Sequence, residues 1–470
     1  MTDAEWPIPN CWEWAGFDDV AVIAQDLVSP NLVPSLPHIA PNHVEGVTGR
    51  LLDYRTVAED EVISPKQRFF PGQIVFSKIR PYLRKAAAVN FEGVCSADMY
   101  PLWPRESVER EYLLRWLLSE DFRDASLAHQ GRTLLPKINQ TGLRSTRLPL
   151  PPLPEQRRIV AKLDRLSARS RAARDHLART AALAARVKQA ILAAAFRGEL
   201  TAEWRELNNP PAITADATKI DNRAPSIEAL PQAWSWAALG SLTTVTGGLT
   251  KNQKRAGMPL KAPYLRVANV YANELRLSEV LDIGCTVSEA AHTRLQNGDL
   301  LVVEGNGSRD QIGRVALWRG EIDGCLHQNH LIRVRPSSEI TPEFALYWLL
   351  SPSGRIGIEA VASSSSGLHT LSITKVKGLP VPACSVEEQH EIVRRIETAF
   401  ARIDRLTAEA ARAAHLLDRL DERLLAKAFR GELVPQDPAD EPARDLLARI
   451  RAARVAAPKP KRGRRKKGAA

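Results

Sequence analysis

Apolar residues recur at alternating steps of four and three along two long stretches of the chain. In the first they are Ile159, Leu163, Leu166, Ser170, Ala173, Leu177, Thr180, Ala184, Val187, Ile191 and Ala194, with small residues taking several places. In the second they are Ile392, Ile396, Ala399, Ile403, Leu406, Ala410, Ala413, Leu417, Leu420 and Leu424. A seam repeating every 3.5 residues faces one partner helix, so each stretch predicts a coiled-coil helix. No proline interrupts either run, and Gly198 and Gly431 mark the stops. At ~1.5 Å per residue each would be a rod of about 70 Å. The two rods suit each other as antiparallel partners; pairing of each with another subunit is the alternative.

The two stretches are copies. Glu155-Gln156-Arg157-Arg158-Ile159-Val160 opens one, which closes on Ala195-Phe196-Arg197-Gly198-Glu199-Leu200. Glu388-Gln389-His390-Glu391-Ile392-Val393 opens the other, which closes on Ala428-Phe429-Arg430-Gly431-Glu432-Leu433. They align without a gap, and about 19 positions are identical, which chance does not give. Each follows a proline-rich stop, Leu148-Pro149-Leu150-Pro151 and Leu379-Pro380-Val381-Pro382.

A weaker repeat precedes each rod. Ile8 to Trp14 matches Leu230 to Trp236, and Pro71-Gly72-Gln73-Ile74-Val75-Phe76 matches Asn297-Gly298-Asp299-Leu300-Leu301-Val302. The latter pair reads as a turn feeding a strand. Arg84 to Val89 parallels Gln311 to Leu317, and Cys95 and Cys325 open segments running to Pro104 and Pro336. Amphipathic helices follow, carrying Tyr112, Leu113, Trp116 and Leu117, then Phe344, Tyr347, Trp348 and Leu349. Trp12, Trp14, Trp234 and Trp236 read as core. The fold class expected is α+β: two mixed α/β domains separated by two long antiparallel coiled-coil helices, with an internal pseudo-twofold repeat. The segments are 1–147 (first domain), 148–200 (first helix), 201–229 (polar linker), 230–378 (second domain), 379–433 (second helix) and 434–470. The last holds a short helix, Asp445 to Val455, and a basic run from Lys459 to Lys467 too charged to pack.

Composition adds a partner. The 470 residues carry a formal net charge of +11, with 65 Lys and Arg against 54 Asp and Glu. That balance favours a polyanion, because cations on the protein replace counterions condensed on nucleic acid. No apolar run approaches the ~18 residues that span a bilayer, and Met1 to Asn10 has no signal-peptide pattern, so a cytoplasmic protein with no membrane partner is expected. Cys11, Cys95, Cys285, Cys325 and Cys384 form no C-x-x-C, which predicts reduced thiols and no metal site.

No catalytic constellation emerges. Asn209-Pro210-Pro211-Ala212 resembles the Asn-Pro-Pro-aromatic motif of adenine methyltransferases but lacks the aromatic, and sits in the linker. Gly305-Asn306-Gly307 is not followed by Gly-Lys-Ser/Thr. Glu388-Gln389-His390-Glu391 is not H-E-x-x-H and reads as a solvated helix start.

The globular–helix–globular–helix plan, the Leu-Pro-x-Pro…Glu-Gln starts and the Ala-Phe-Arg-Gly-Glu-Leu ends resemble the specificity (S) subunits of type I restriction–modification systems. Gly72 to Leu83 also looks like a strand and loop of their target-recognition domains, from which Glu304 to Arg309 departs. The resemblance implies a subunit without catalysis or cofactor of its own. Each domain would read half of a split target in double-stranded DNA. The helices would set the spacing and dock two modification (M) subunits, which bind S-adenosylmethionine and methylate adenine at N6. Two restriction (R) subunits using ATP and Mg can join. A DNA-binding module of another phage-defence system is the alternative.

Base-edge reading needs Arg, Lys, Asn, Gln, Ser, Thr or His on loops and helix ends, and phosphate anchoring needs Lys and Arg. The candidates in the first domain are Lys78, Arg80, Tyr82, Arg84 and Lys85, then Arg132, Lys137 and Asn139. In the second they are Lys251, Asn252, Lys254 and Arg255, then Asn306, Ser308 and Arg309, then His327, Gln328 and Asn329. The stretch from Ser363 to His369 resembles the Arg132 loop in placement.

Overall fold

The computed structural model describes residues 5–128, 136–223, 229–365 and 368–456. Arg132 and the basic run after Ala456 lie outside the described residues. Two continuous helices, Leu153–Phe196 and Val386–Phe429, are each 44 residues long, where the sequence predicts 46-residue rods. The chain divides into two compact units, one of residues 1–177 and 411–470, the other of residues 178–410. These units are not the consecutive segments of the sequence reading, because each takes half of both long helices.

In the first unit the strand Ile74–Ser77 is buried throughout, as its unbroken apolar run dictates. It lies between Ala86–Ala88 and Met99–Pro104 in a four-stranded antiparallel sheet whose far edge is Ala21–Ile23. A five-stranded sheet contains Pro37–Ile39 parallel to Gly93–Cys95, with His38 opposite Val94 and Ile39 opposite Cys95. The second unit repeats the four-stranded sheet, and its counterpart of the five-stranded sheet has three strands. Leu300–Val303 lies between Val315–Leu317 and Leu331–Pro336, with Thr243–Thr246 at the edge. Leu260–Leu265 runs parallel to Leu326–His327, with Leu265 opposite His327. The parallel pairs therefore make His327, not Cys325, the counterpart of Cys95, correcting the sequence alignment by two residues. All five thiols are free, and four are buried.

Each proline-rich stop is a strand pairing with the domain's first strand: Arg147–Leu150 with Glu13–Gly16, and Pro380–Ala383 with Ser235–Ala238. That pairing places the start of each long helix against its own domain. Trp12 and Trp234 are buried as expected, whereas Trp14 and Trp236 are half-buried, Trp14 against Trp6 and Trp236 against Trp348.

The helix starts are not solvated. Glu155, Gln156, Glu388 and Gln389 are all buried. Gln156 accepts from the Glu109 N–H (2.7 Å) and donates to the Pro151 and Ser107 carbonyls. Gln389 repeats this with Thr341, Cys384 and Glu339. The Glu155 carboxylate accepts from the Trp12 indole (3.0 Å) and from Gln436 (3.2 Å). That of Glu388 accepts from the Trp234 indole (2.9 Å), the Thr201 hydroxyl (2.7 Å) and Arg205 (2.6 Å).

The helix ends complete the cores. Phe429 meets Tyr112 and Trp116 edge-on in the first unit, and Phe196 meets Phe344 and Trp348 in the second. Gly431 and Gly198 both hold φ = +75°, and a Cβ there would lie 2.3 Å from Pro9 and from Pro231, so the Arg-Gly-Glu stop suits glycine on two counts. Within the polar linker segment the chain forms a helix, Ala202–Asn208, and lays Ile213 and Ala215 on the second unit's core. The terminal helix spans Ala443–Ala456 and buries Leu447 in the first unit's core.

Within each unit the two half-helices run antiparallel. Ser170 donates to Asp421 and Arg174 pairs with Asp421 and Asp418 in the first; Lys188 pairs with Asp404 in the second. The seam is covered best near the helix starts, at Ile159, Leu163, Ile392 and Ile396. Farther along, Leu406 (60%) and Leu420 (46%) remain exposed on it, as do Leu183 (57%) and Leu416 (59%) off it. A two-helix pair covers only one narrow stripe.

Candidate nucleic-acid interface

The strand Ile74–Ser77 runs directly into the loop that carries the first unit's basic candidates. There the Lys78 N–H donates to the Asp98 carbonyl (2.9 Å), and the Lys78 carbonyl accepts from the Ile138 N–H (2.9 Å). The Arg80 N–H donates to the Pro136 carbonyl (2.8 Å), and Ile79 bridges to Lys137. The loop is thus stitched between residue 98 and residues 136–138. Arg80 and Arg84 both adopt left-handed backbone, φ = 46° and 48°, around the turn Pro81–Leu83. Both are non-glycine residues in a region that L side chains seldom adopt.

The second unit builds the same crossing. The Glu304 N–H donates to the His330 carbonyl (3.0 Å), and the Glu304 carbonyl accepts from the Leu371 N–H (2.7 Å). Gly305 and Asn306 then pair with Thr370 and His369. Lys78 corresponds to Glu304, Asp98 to His330, Arg80 to Asn306 and Lys137 to Thr370.

Several candidates gather at these crossings. Lys78 lies with its ammonium 5.2 Å from the Tyr100 ring, Arg80 and Tyr82 are exposed, and Lys137 pairs with Asp98 at 3.3 Å. In the second unit Asn306 accepts from the Ser308 N–H (2.9 Å), and exposed Arg309 lies 3.4 Å from Glu359. Gln328 and Asn329 are half-buried and adjoin the Leu249 backbone, which leads into exposed Lys251, Asn252 and Lys254.

Five candidates have internal work instead. Arg84 is buried, with Glu422 at 3.2 Å, and the Lys85 ammonium donates to the Pro41 carbonyl. Asn139 caps the helix Gln140–Arg144 by accepting from the Gly142 N–H. Arg255 is buried, forks onto Glu289 and donates to the Thr250 and Gly284 carbonyls; the guanidinium holds the Glu289 carboxyl down at about 2. His327 has no exposed surface, and burial pushes its imidazole down to about 4. It is neutral, and its Nδ1–H donates to the Thr293 carbonyl at 2.9 Å. Arg84, Arg255 and His327 are buried and so leave the candidate interface, whereas Lys85 is half-buried and Asn139 exposed.

Asp98, Glu304 and His330 also sit at these crossings and are not among the sequence candidates: acidic side chains lie outside the residue types considered, and the signal for all three is adjacency to the matched strands. Among the described residues no group of three His, Cys, Asp or Glu is placed to hold a metal ion, and no helix is long and apolar enough to cross a membrane.

Two register-matched units whose strand ends carry unlike side chains thus share one chain with two long helices. The chain belongs to the type I restriction–modification specificity subunits, the non-catalytic subunits that carry DNA sequence specificity. Residues 37–176 match the family described as type I restriction modification DNA specificity domain. The chain is 30% identical over 351 residues to the type I restriction enzyme EcoBI specificity subunit of Escherichia coli, covering 72% of this chain and 71% of that one. It is 46% identical over 209 residues to the EcoDI specificity subunit of Escherichia coli, a match spanning 44% of this chain and 46% of that one. The fold resembles a chain from the structure described as "Structural basis underlying complex assembly and conformational transition of the type I R-M system" (TM-score 0.67, 21% identity, 91% of this chain and 100% of that one).

Proposed function

We propose that each unit reads one half of a bipartite double-stranded DNA target, and that the two long helices set the unspecified gap between the halves. The observation that carries this reading is the paired crossing: identical backbone stitching at residues 78–80 and 304–306, with different side chains at equivalent places. Two non-identical readers on one chain imitate a twofold dimer, in which half-site spacing follows from geometry. The exposed leucines on the helix pair, Leu183, Leu406 and Leu416, offer apolar surface on which two modification (M) subunits dock. Those subunits bind S-adenosylmethionine and methylate adenine at N6; two restriction (R) subunits using ATP and Mg complete the nuclease. This chain supplies DNA contacts and geometry only.

Mapping methylated adenines in DNA from cells expressing the chain with its M subunit tests the proposal. The expected pattern is two unlike specified half-sites separated by a fixed gap of any sequence. A continuous site, or two identical halves, would contradict it.

A further inference from the structure

At the strand-end crossing the two units differ in charge. The first presents Lys78 beside Asp98, and the second presents Glu304 beside His330, at the same backbone positions. A carboxylate at that point is costly against DNA phosphates, and on a chain of net charge +11 it needs a reason. Glu304 is also held firmly. Its N–H and carbonyl are both bonded, to His330 and Leu371, and its carboxylate lies 2.9 Å from His330 Nδ1. It nonetheless keeps a third of its surface open (33%), beside half-buried Asn306 and a Gly307 whose α-carbon faces open space.

We propose that Glu304 is a specificity-determining residue of the second unit, accepting a hydrogen bond from the exocyclic amino group of a base, with His330 as its positioning residue. In the major groove only cytosine N4 and adenine N6 offer such a donor, so a fixed carboxylate admits those bases and repels guanine and thymine, whose groove edges carry acceptors. Ser308 and Arg309 follow on the same loop and supply the anchoring to phosphate that a carboxylate cannot. The first unit, with Lys78 at the equivalent position, applies no such selection. The inference rests on the reading of the chain as a DNA reader.

The test is methylation mapping with the complete complex carrying Glu304→Ala, and separately Glu304→Met, which keeps the length of the side chain and has no oxygen to accept from a base. The expected result is relaxation at one position of one half-site, where discrimination between amino-bearing and carbonyl-bearing bases falls by about ten- to a hundredfold. The other half-site and the gap stay as in the wild type. His330→Ala should relax the same position, less completely. Should Glu304→Ala fail to fold, methylation disappears at every site, and Glu304→Met decides alone. An unaltered target with Glu304→Met overturns the proposal. A wild-type complex that methylates without any sequence preference overturns the DNA-reader reading instead.

Discussion

The buried carboxylates Glu155 and Glu388 occupy equivalent places, yet their units treat them differently. Both receive a tryptophan indole, from Trp12 and Trp234. Glu388 also has a cation, since Arg205 donates to it from a site only 16% exposed. Glu155 has the neutral Gln436 instead, and burial raises its carboxyl above the usual carboxylate range despite the hydrogen bonds from Trp12 and Gln436. The duplicated sequence thus preserves the buried acid and the indole, while the segment that follows the opposite helix decides how the charge is met. The same division holds at the crossings: the backbone stitching repeats, and the side chains do not.

The largest separation of the two units should come from removing each acid. Glu388→Ala leaves the Arg205 guanidinium without its carboxylate and should cost about 3–5 kcal/mol. Glu155→Ala leaves neutral donors unpaired, at about 1–3 kcal/mol. Urea unfolding of the two variants measures both, and equal losses would remove the distinction between a charge-paired and a neutral clamp.

Acid should separate the units next. In the second unit His327 is held neutral, with its folded value depressed from 6.5 to about 4. The folded state then binds fewer protons than the unfolded chain, so stability falls as pH drops below 6.5 and the loss is complete near 4. The shift corresponds to on the order of 3 kcal/mol. Glu155 acts in the opposite sense, because its raised value means that the folded first unit takes up a proton sooner; its strain is relieved as pH falls through that value toward 4.5. Replacing His327 by the residue at the matching register position, His327→Cys, should flatten the acid loss between pH 6.5 and 4, and Glu155→Gln should steepen it. Melting temperature against pH reads both, and identical slopes in all three proteins would refute the assignment.

The smallest effects belong to the exposed cations. Arg80→Ala or Lys254→Ala should weaken DNA binding by the complex and lower the salt slope by about one unit if each contacts one phosphate. Arg84→Ala, by contrast, removes the partner of Glu422 and should lower stability more than it changes the slope. A salt titration of binding distinguishes the two classes.

Much of the fold was legible because periodicity reports burial directly. The seam from Ile159 to Ala194 and the turn before Ile74 and Leu300 marked elements that the structure contains. Three features were not legible. The Glu388-Gln389 helix start read as solvated because charged and amide residues usually are, and only tertiary partners such as Trp234 and Arg205 make its burial favourable. Arg84, Arg255 and His327 read as DNA ligands because a side chain's chemistry does not say whether it points inward. Glu304 was passed over because acidic side chains are not among the types sought for base reading, and its place at the crossing follows only from the backbone bonds to His330 and Leu371.

The central claim is that two unlike readers are spaced by the helix pair, and changing the length of that pair tests it most directly. Removing one heptad from each helix at opposed positions shortens the pair by ~10 Å at 1.5 Å per residue. With base pairs ~3.4 Å apart, methylation mapping should find both half-sites unchanged and the gap shortened by about three base pairs. Unchanged spacing in an active complex would contradict the account.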